Sequence, residues 1–249
     1  VTTQNEQMSY TARRQQGVQG INNMDIAGEQ RRFMVKVYGW MFLALMITAL
    51  VALITASSET ILMMVYGNQV VFFGMIIVQM ILVWSLSSRM HKISVTTATI
   101  SYFIYSILNG LLLSVIFLAF TTGSIAATFF ITASIFGIMS IYGYFTDKDL
   151  TSVGNICLMG LIGIIIASLV NMFLHSTTLY WIITYIAVIV FTALAAFDTQ
   201  KIKQMNVIGD EGTDQDKKQS ILGALILYID FINLFLQLLK IFGKSNEEE

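Results

Sequence analysis

Asp230 stands in the middle of an apolar run, ILGALILYIDFINLFLQLLKIFG (221–243). A carboxylate near the centre of a bilayer costs roughly 2.5–3.5 kcal/mol on insertion scales. Such a residue faces the interior of a helix bundle, has a partner, and marks an ion path, a proton relay or a switch. Asp230, Asn233, Gln237, Lys240 and Lys244 recur at alternating spacings of 3 and 4, which places them on one helix face. A polar stripe cannot face lipid, where unsatisfied groups are costly, so this helix belongs inside the bundle. Asn233 and Gln237 are read either as amides bonding between helices or as polar groups lining a pore.

The best partner for Asp230 is Asp198, in ALAAFDTQKIK (193–203). Two carboxylates brought together in low dielectric cannot both ionise cheaply, so such a pair shares a proton. Depth sets a condition on the pairing. Asp230 lies about nine residues into its run, roughly 13 Å along the axis, while Asp198 sits at the edge of an apolar stretch. The two meet if the helix carrying Asp198 continues through about Met205, and AAFDTQKIKQM contains no breaker. Otherwise Asp198 is an interfacial carboxylate paired with Lys201 or Lys203. Arg89, in SLSSRMHKIS (85–94), is a candidate third member: its guanidinium could hold one carboxylate ionised, and protonation would release it. The alternative for Arg89 is a snorkelling interfacial arginine. His91 is read as an ordinary surface histidine. Gly137, Ser140 and Gly143, and then Gly160, Gly163 and Ala167, are read as close-packing positions. Gln79, Asn109 and Asn171 are isolated amides expected to bond across helices, with pore lining as the alternative for each.

The elements that must position these groups follow from composition. The chain has 249 residues, 56% of them hydrophobic and 12% charged, with a mean hydropathy of +0.73. That is the profile of a polytopic membrane protein. A net charge of −1 gives no field that would draw nucleic acid. Cys157 is a single cysteine, and His91 and His175 are not spaced as metal ligands. No HExxH, Walker loop or GxSxG is present, and no cofactor is expected. Proline is absent, so helix bends must come from glycine or polar side chains.

Seven apolar stretches are long enough to cross a hydrocarbon core of about 30 Å. They lie near 37–56, 70–88, 98–120, 124–145, 155–174, 178–197 and 221–241. Of the 14 Lys and Arg, all but Lys240 and Lys244 fall on one side of the resulting zigzag. The positive-inside rule makes that side, with the N-terminus, cytoplasmic. Lys240 and Lys244 at the far end of the last stretch oppose full crossing, whereas its length favours it. Residues 1–32 are Gln/Asn/Arg-rich and are expected to form a disordered polar tail without a secretory signal pattern. Residues 33–243 form the membrane domain, and 244–249 a short acidic tail. The connection around GDEGTDQDKK (209–218) is expected to be mobile.

Four segments carry a family resemblance: NGLLLSVIF (109–117), YGYFTDKDLTSVGNICLMGLIGIIIASLVNMFLHS (142–176), TALAAFDTQKIK (192–203) and GALILYIDFINLFLQLLKIFG (223–243). They resemble the Bax inhibitor-1 family, also called the transmembrane Bax inhibitor motif family, and its bacterial members in particular. The resemblance implies an all-α membrane protein, a seven-transmembrane-helix bundle with the last helix central. It also implies a non-enzymatic, pH-sensitive calcium leak gated by two aspartates, here Asp198 and Asp230, with an arginine latch that Arg89 is similar to in position. Ca²⁺ takes six to eight oxygens, so Asp198, Asp230, Asn233, carbonyls and water could form a transient site. The expected location is a bacterial plasma (inner) membrane. The rival expectation is a non-conducting interaction protein that modulates a membrane-bound ATP-dependent protease or a stress-signalling complex, with the N-terminal tail as its handle. An intramembrane aspartyl protease is a poor third reading, since Asp198 lacks the flanking glycines of such enzymes.

Overall fold

A computed structural model describes residues 26–90 and 92–246. The tail expected over 1–32 therefore lies outside the described residues up to 25, as do His91 and Glu247–Glu249. Residues 26–32 belong to the first helix.

The described chain is almost entirely helical. Seven helices are long and apolar enough to cross a membrane: Ile26–Ala56, Gln69–Arg89, Val95–Ala119, Thr122–Phe145, Thr151–Leu174, Thr177–Met205 and Asp214–Phe242. The elements in chain order are α1 (Ile26–Ala56), α2 (Glu59–Tyr66), α3 (Gln69–Arg89), α4 (Val95–Leu113), α5 (Ile116–Ala119), α6 (Thr122–Phe145), α7 (Thr151–Leu174), α8 (Thr177–Met205) and α9 (Asp214–Phe242). With no proline to start a helix, small polar residues do so. Ser94, Thr121, Ser176 and Thr213 each accept the N–H of the residue three positions on. Each cap satisfies a donor that a helix start would leave exposed to hydrocarbon or headgroups. α7 has Leu150 at its cap position and no side-chain cap there; the residue before it, Asp149, accepts the Thr151 N–H at 2.9 Å and hydroxyl at 2.6 Å through Oδ1. Those two bonds hold the exposed Asp149 carboxyl below the usual carboxylate range.

α9 is the central helix. In its most apolar window 67% of residues are buried, against 6% for α3 and for α7. It packs on α1, α4, α6 and α8, while α3 rests mainly on α4 and α7 on α8. α3 and α7 form an outer layer, each resting mainly on one inner helix.

α9 also runs the full length of the bundle. Near its start Lys218 Nζ reaches the Ile93 carbonyl beyond α3. Past its end, the Thr121 N–H donates to the Lys244 carbonyl and Phe120 bridges to Ser245, both in the α5–α6 connection. Those partners lie at opposite ends of the zigzag, so the last helix crosses. Its 29 residues extend about 43 Å, longer than the hydrocarbon core.

The connection from α8 to α9 is tied down rather than loose. Arg32 holds Glu211 through two bonds of 2.7 and 2.8 Å, and Glu29 accepts the Gly209 N–H. Lys36 pairs with the buried Asp216 at 2.7 Å. Opposite charges of α1 and the connection were both visible in the sequence. Only the packing of α1 beside α9 makes them partners.

Candidate functional site

The site is built by the contact of α8 with α9. A Cβ at Gly223 would lie 2.8 Å from Ile202 Cγ2, so these helices approach closely there. One turn back from Ile202 along α8 is Asp198. Along α9 from Gly223, through Leu227, the same face reaches Asp230. α8 continues unbroken to Met205, which meets the depth condition. On its other side α8 is pressed against α6, where a side chain at Gly143 would collide with the Ala196 backbone.

Asp198 is 8% exposed and Asp230 6%. Their carboxyl groups lie within hydrogen-bonding reach of one another. Asp230 Oδ2 is buried and receives no hydrogen bond from the described residues. Neither carboxylate has an ion-pair partner among them. Lys203 turns away to donate to the Tyr144 carbonyl at 3.0 Å, and Lys201 lies over the Phe197 ring. The interfacial Asp–Lys alternative is thus not the arrangement formed.

The neighbours of Asp198 in FDTQ each have a task that spacing did not disclose. Thr199 returns its hydroxyl to the Ala195 carbonyl at 2.7 Å and meets the Tyr38 hydroxyl. Gln200 clamps the α6–α7 connection, donating to Lys148 O at 2.8 Å and accepting the Leu150 N–H at 2.9 Å.

Arg89 is not brought to the pair. It is exposed at the end of α3, with its guanidinium 5.2 Å from the Trp84 ring centroid. α3 belongs to the outer layer, so level alone did not make Arg89 a neighbour of α8. Among the described residues Asn233 and Gln237 do not bond between helices either. Asn233 donates to Ile229 O of its own helix at 2.8 Å, and Gln237 accepts from Lys240 at 3.1 Å. The stripe keeps its polarity by local bonds, and Lys240 lies over the Tyr180 ring.

A second polar cluster was not anticipated as a unit. Asn109 Nδ2 donates to the Tyr228 hydroxyl at 2.9 Å, which lies 2.7 Å from Thr48 Oγ1, which in turn donates to Ser106 O at 3.0 Å. Thr48 has one proton and spends it on Ser106, so Tyr228 donates to Thr48. Asn109 was expected to bond across helices, and does. Asn171 instead accepts the Ser176 N–H in the α7–α8 turn, and Gln79 Nε2 is buried without a partner among the described residues. Of the glycines read as packing positions, Gly143 and Gly160 meet neighbours, while Gly137 and Gly163 face open space.

Residues 30–247 match the family model described as "Inhibitor of apoptosis-promoting Bax1". The chain belongs to the Bax inhibitor-1 family. Among its relatives, the inner membrane protein YbhL of Escherichia coli (strain K12) is 50% identical over 212 residues, 85% of this chain and 91% of YbhL. A Rickettsia prowazekii protein is 46% identical over 220 residues, covering 87% of this chain and 91% of its own. One from Borreliella burgdorferi is 43% identical over 219 residues, covering 88% and 94%. The Bax inhibitor-1 match includes both aspartates and all of α9. This member of the family is accordingly a multi-pass, all-helical membrane protein.

Proposed function

We propose that this protein is a pH-sensitive calcium leak of the inner membrane, with its N-terminus cytoplasmic, in which Asp198 and Asp230 form the gate. The observation that carries the reading is the contact between two buried carboxyl groups on neighbouring helices. Carboxyl groups hydrogen-bond to each other only when one of them holds a proton. Protonated, the pair ties α8 to α9. Without that proton the two charges repel at close range, and either the helices separate or a cation lies between them. Ca²⁺ and protons would then compete for the same oxygens, with carbonyls and water completing the coordination of the passing ion. Acid closes the path, and alkali opens it.

Arg89 enters this scheme as a mobile latch: for it to hold an aspartate, the end of α3 must leave its seat over Trp84 and move inward. The positive-inside distribution of Arg31, Arg32, Lys36, Lys148, Lys217 and Lys218 supports the orientation. The word "inner membrane" in the name of the YbhL relative supports the location.

The test is reconstitution in liposomes loaded with a calcium dye, with pH titrated on the side of the basic connections. The expected result is a flux that falls on acidification. Asp198→Asn and Asp230→Asn variants should lose that response, and unaltered flux and pH response in both would overturn the proposal. If the N-terminal tail is instead a handle for a membrane protease, deleting residues 1–25 abolishes partner binding and leaves flux intact.

A further inference from the structure

α1 and α6 both pack closely on α9 and only weakly, if at all, on each other, and a cleft runs between them along the side of the bundle. Its volume is about 990 Å³, at the upper end of the roughly 300–1,000 Å³ of small-molecule sites. Met41, Leu45, Phe136 and Phe231 give it apolar walls and floor, and Arg31 stands at its basic-side mouth. A second apolar cavity of about 310 Å³ shares Leu45, Phe129 and Phe231 and prolongs it toward the opposite end. From Arg31 to Leu45 the cleft follows α1 for roughly 21 Å, the reach of an extended acyl chain.

Two features distinguish this cleft from a seam between helices. Ser140 lines it, is 5% exposed, and has a hydroxyl without a hydrogen-bond partner among the described residues. In the same helix Ser134 and Thr132 return their hydroxyls to the carbonyls four residues back, at 2.8 Å each. A helical serine has that option by default, and Ser140 does not use it; Thr128 of the same helix is unpartnered too but does not line the cleft, so Ser140 is the one such hydroxyl placed at it among the described residues. It lies about five residues, roughly 7 Å, inside the basic-side end of α6, deeper than Arg31. Gly137 is the second feature: one turn further in, a Cβ there would meet nothing within 4 Å.

We infer that the α1–α6 cleft is a binding site for one anionic phospholipid of the leaflet on the basic side. One acyl chain lies over Gly137, Phe136 and Phe231. The Ser140 hydroxyl donates to a glycerol ester carbonyl, and Arg31 holds the phosphate. Headgroup charge is chosen by the guanidinium, chain occupancy by the apolar walls, and the polar depth marker between them suits a lipid rather than a protein segment. This site is independent of the aspartate gate and does not require that the protein conduct calcium.

The test uses the full chain purified in mild detergent with equimolar dioleoyl phosphatidylglycerol and dioleoyl phosphatidylcholine, read by native mass spectrometry. The expected result is one retained phosphatidylglycerol, preferred several-fold over phosphatidylcholine. Arg31→Gln should bring the two lipids to parity. Gly137→Leu should reduce retention of both at least fivefold without unfolding, because the space for its side chain is open. Gly163→Leu, on an exposed face of α7 with equal room, should change neither. Equal retention of the two lipids by the wild-type chain, or undiminished retention by a folded Gly137→Leu variant, overturns the inference.

Discussion

Two polar clusters sit two residues apart on α9 and point to roughly opposite sides of it. Tyr228 belongs to a chain in which each hydroxyl proton has an acceptor and Tyr228 itself accepts from an amide: Asn109 to Tyr228, Tyr228 to Thr48, Thr48 to the Ser106 carbonyl. Asp230 faces Asp198 and contributes only acceptors when ionised. The first cluster is complete from protein atoms alone, so it can serve simply to hold α1, α4 and α9 in register. The second is incomplete unless a proton or a cation joins it. Burial is nearly the same in both places, so the difference lies in the donor inventory, and that is why the proposed gate is placed at Asp230 and not at Tyr228.

The largest expected effect comes from making the second cluster resemble the first. Asp230→Asn supplies an N–H for the Asp198 carboxylate, so the pair is satisfied without a titratable proton. Liposome flux should lose its acid-dependent step entirely, while the melting temperature in detergent stays level or rises. A variant that keeps the acid response would break the contrast between the clusters.

Separating α8 from α6 comes next. Gly143→Leu forces a side chain into the Ala196 backbone. Overpacking of this kind costs about 1–3 kcal/mol. It should lower the melting temperature and weaken the acid response, because α8 carries Asp198 with it. The Tyr228 chain, on the far side of α9, should keep its hydrogen-exchange protection.

Tyr228→Phe should have the converse profile. It leaves the Asn109 amide without its acceptor, and an unsatisfied buried group costs about 1–3 kcal/mol. Thermal unfolding should shift accordingly, with the pH dependence of flux unchanged. If flux loses its pH dependence instead, the two clusters are coupled and the division of roles is wrong.

The smallest effect belongs to a third cluster, complete like the first but exposed. Arg32 holds the Glu211 carboxyl below the usual carboxylate range. A depressed acid contributes stability above its unfolded value and loses it as pH falls through the folded one. Amide protection over residues 206–213, taken relative to the intrinsic exchange rate at each pH, should therefore be high at neutral pH and be lost only below the ordinary glutamate range. Loss near neutrality would mean that Arg32 is not what holds the connection.

Much of this arrangement was legible in the chain itself. Asp230 declared itself because a carboxylate amid apolar residues has few explanations, and the 3–4 spacing of the stripe fixed its face. The seven spans followed from hydropathy, and the unbroken AAFDTQKIKQM let α8 extend far enough to bring Asp198 to Asp230. Arg89 shows where such reasoning stops. It was read as lying at the level of Asp198, but level is one coordinate, and angular position around α9 was not encoded in spacing. The Thr48–Tyr228–Asn109 chain was missed as a unit for a related reason: Asn109 stood out as an isolated amide, but threonine and tyrosine are ordinary in apolar helices, and nothing local says that Thr48 and Tyr228 converge on it from two other helices.

The sequence by itself determined the membrane class, the spans, the alternation of basic connections and the one helix too polar to face lipid. Each depends on transfer free energy along a single segment, which local composition sets. Only the tertiary structure decided that Arg89 stays away from the aspartate pair, that Lys36 and Arg32 hold the last connection, that α3 and α7 lie outside, and that a cleft opens between α1 and α6. Those outcomes depend on where small residues such as Gly143 and Gly223 let backbones approach, and helix-to-helix distance is a property of pairs that no single segment contains.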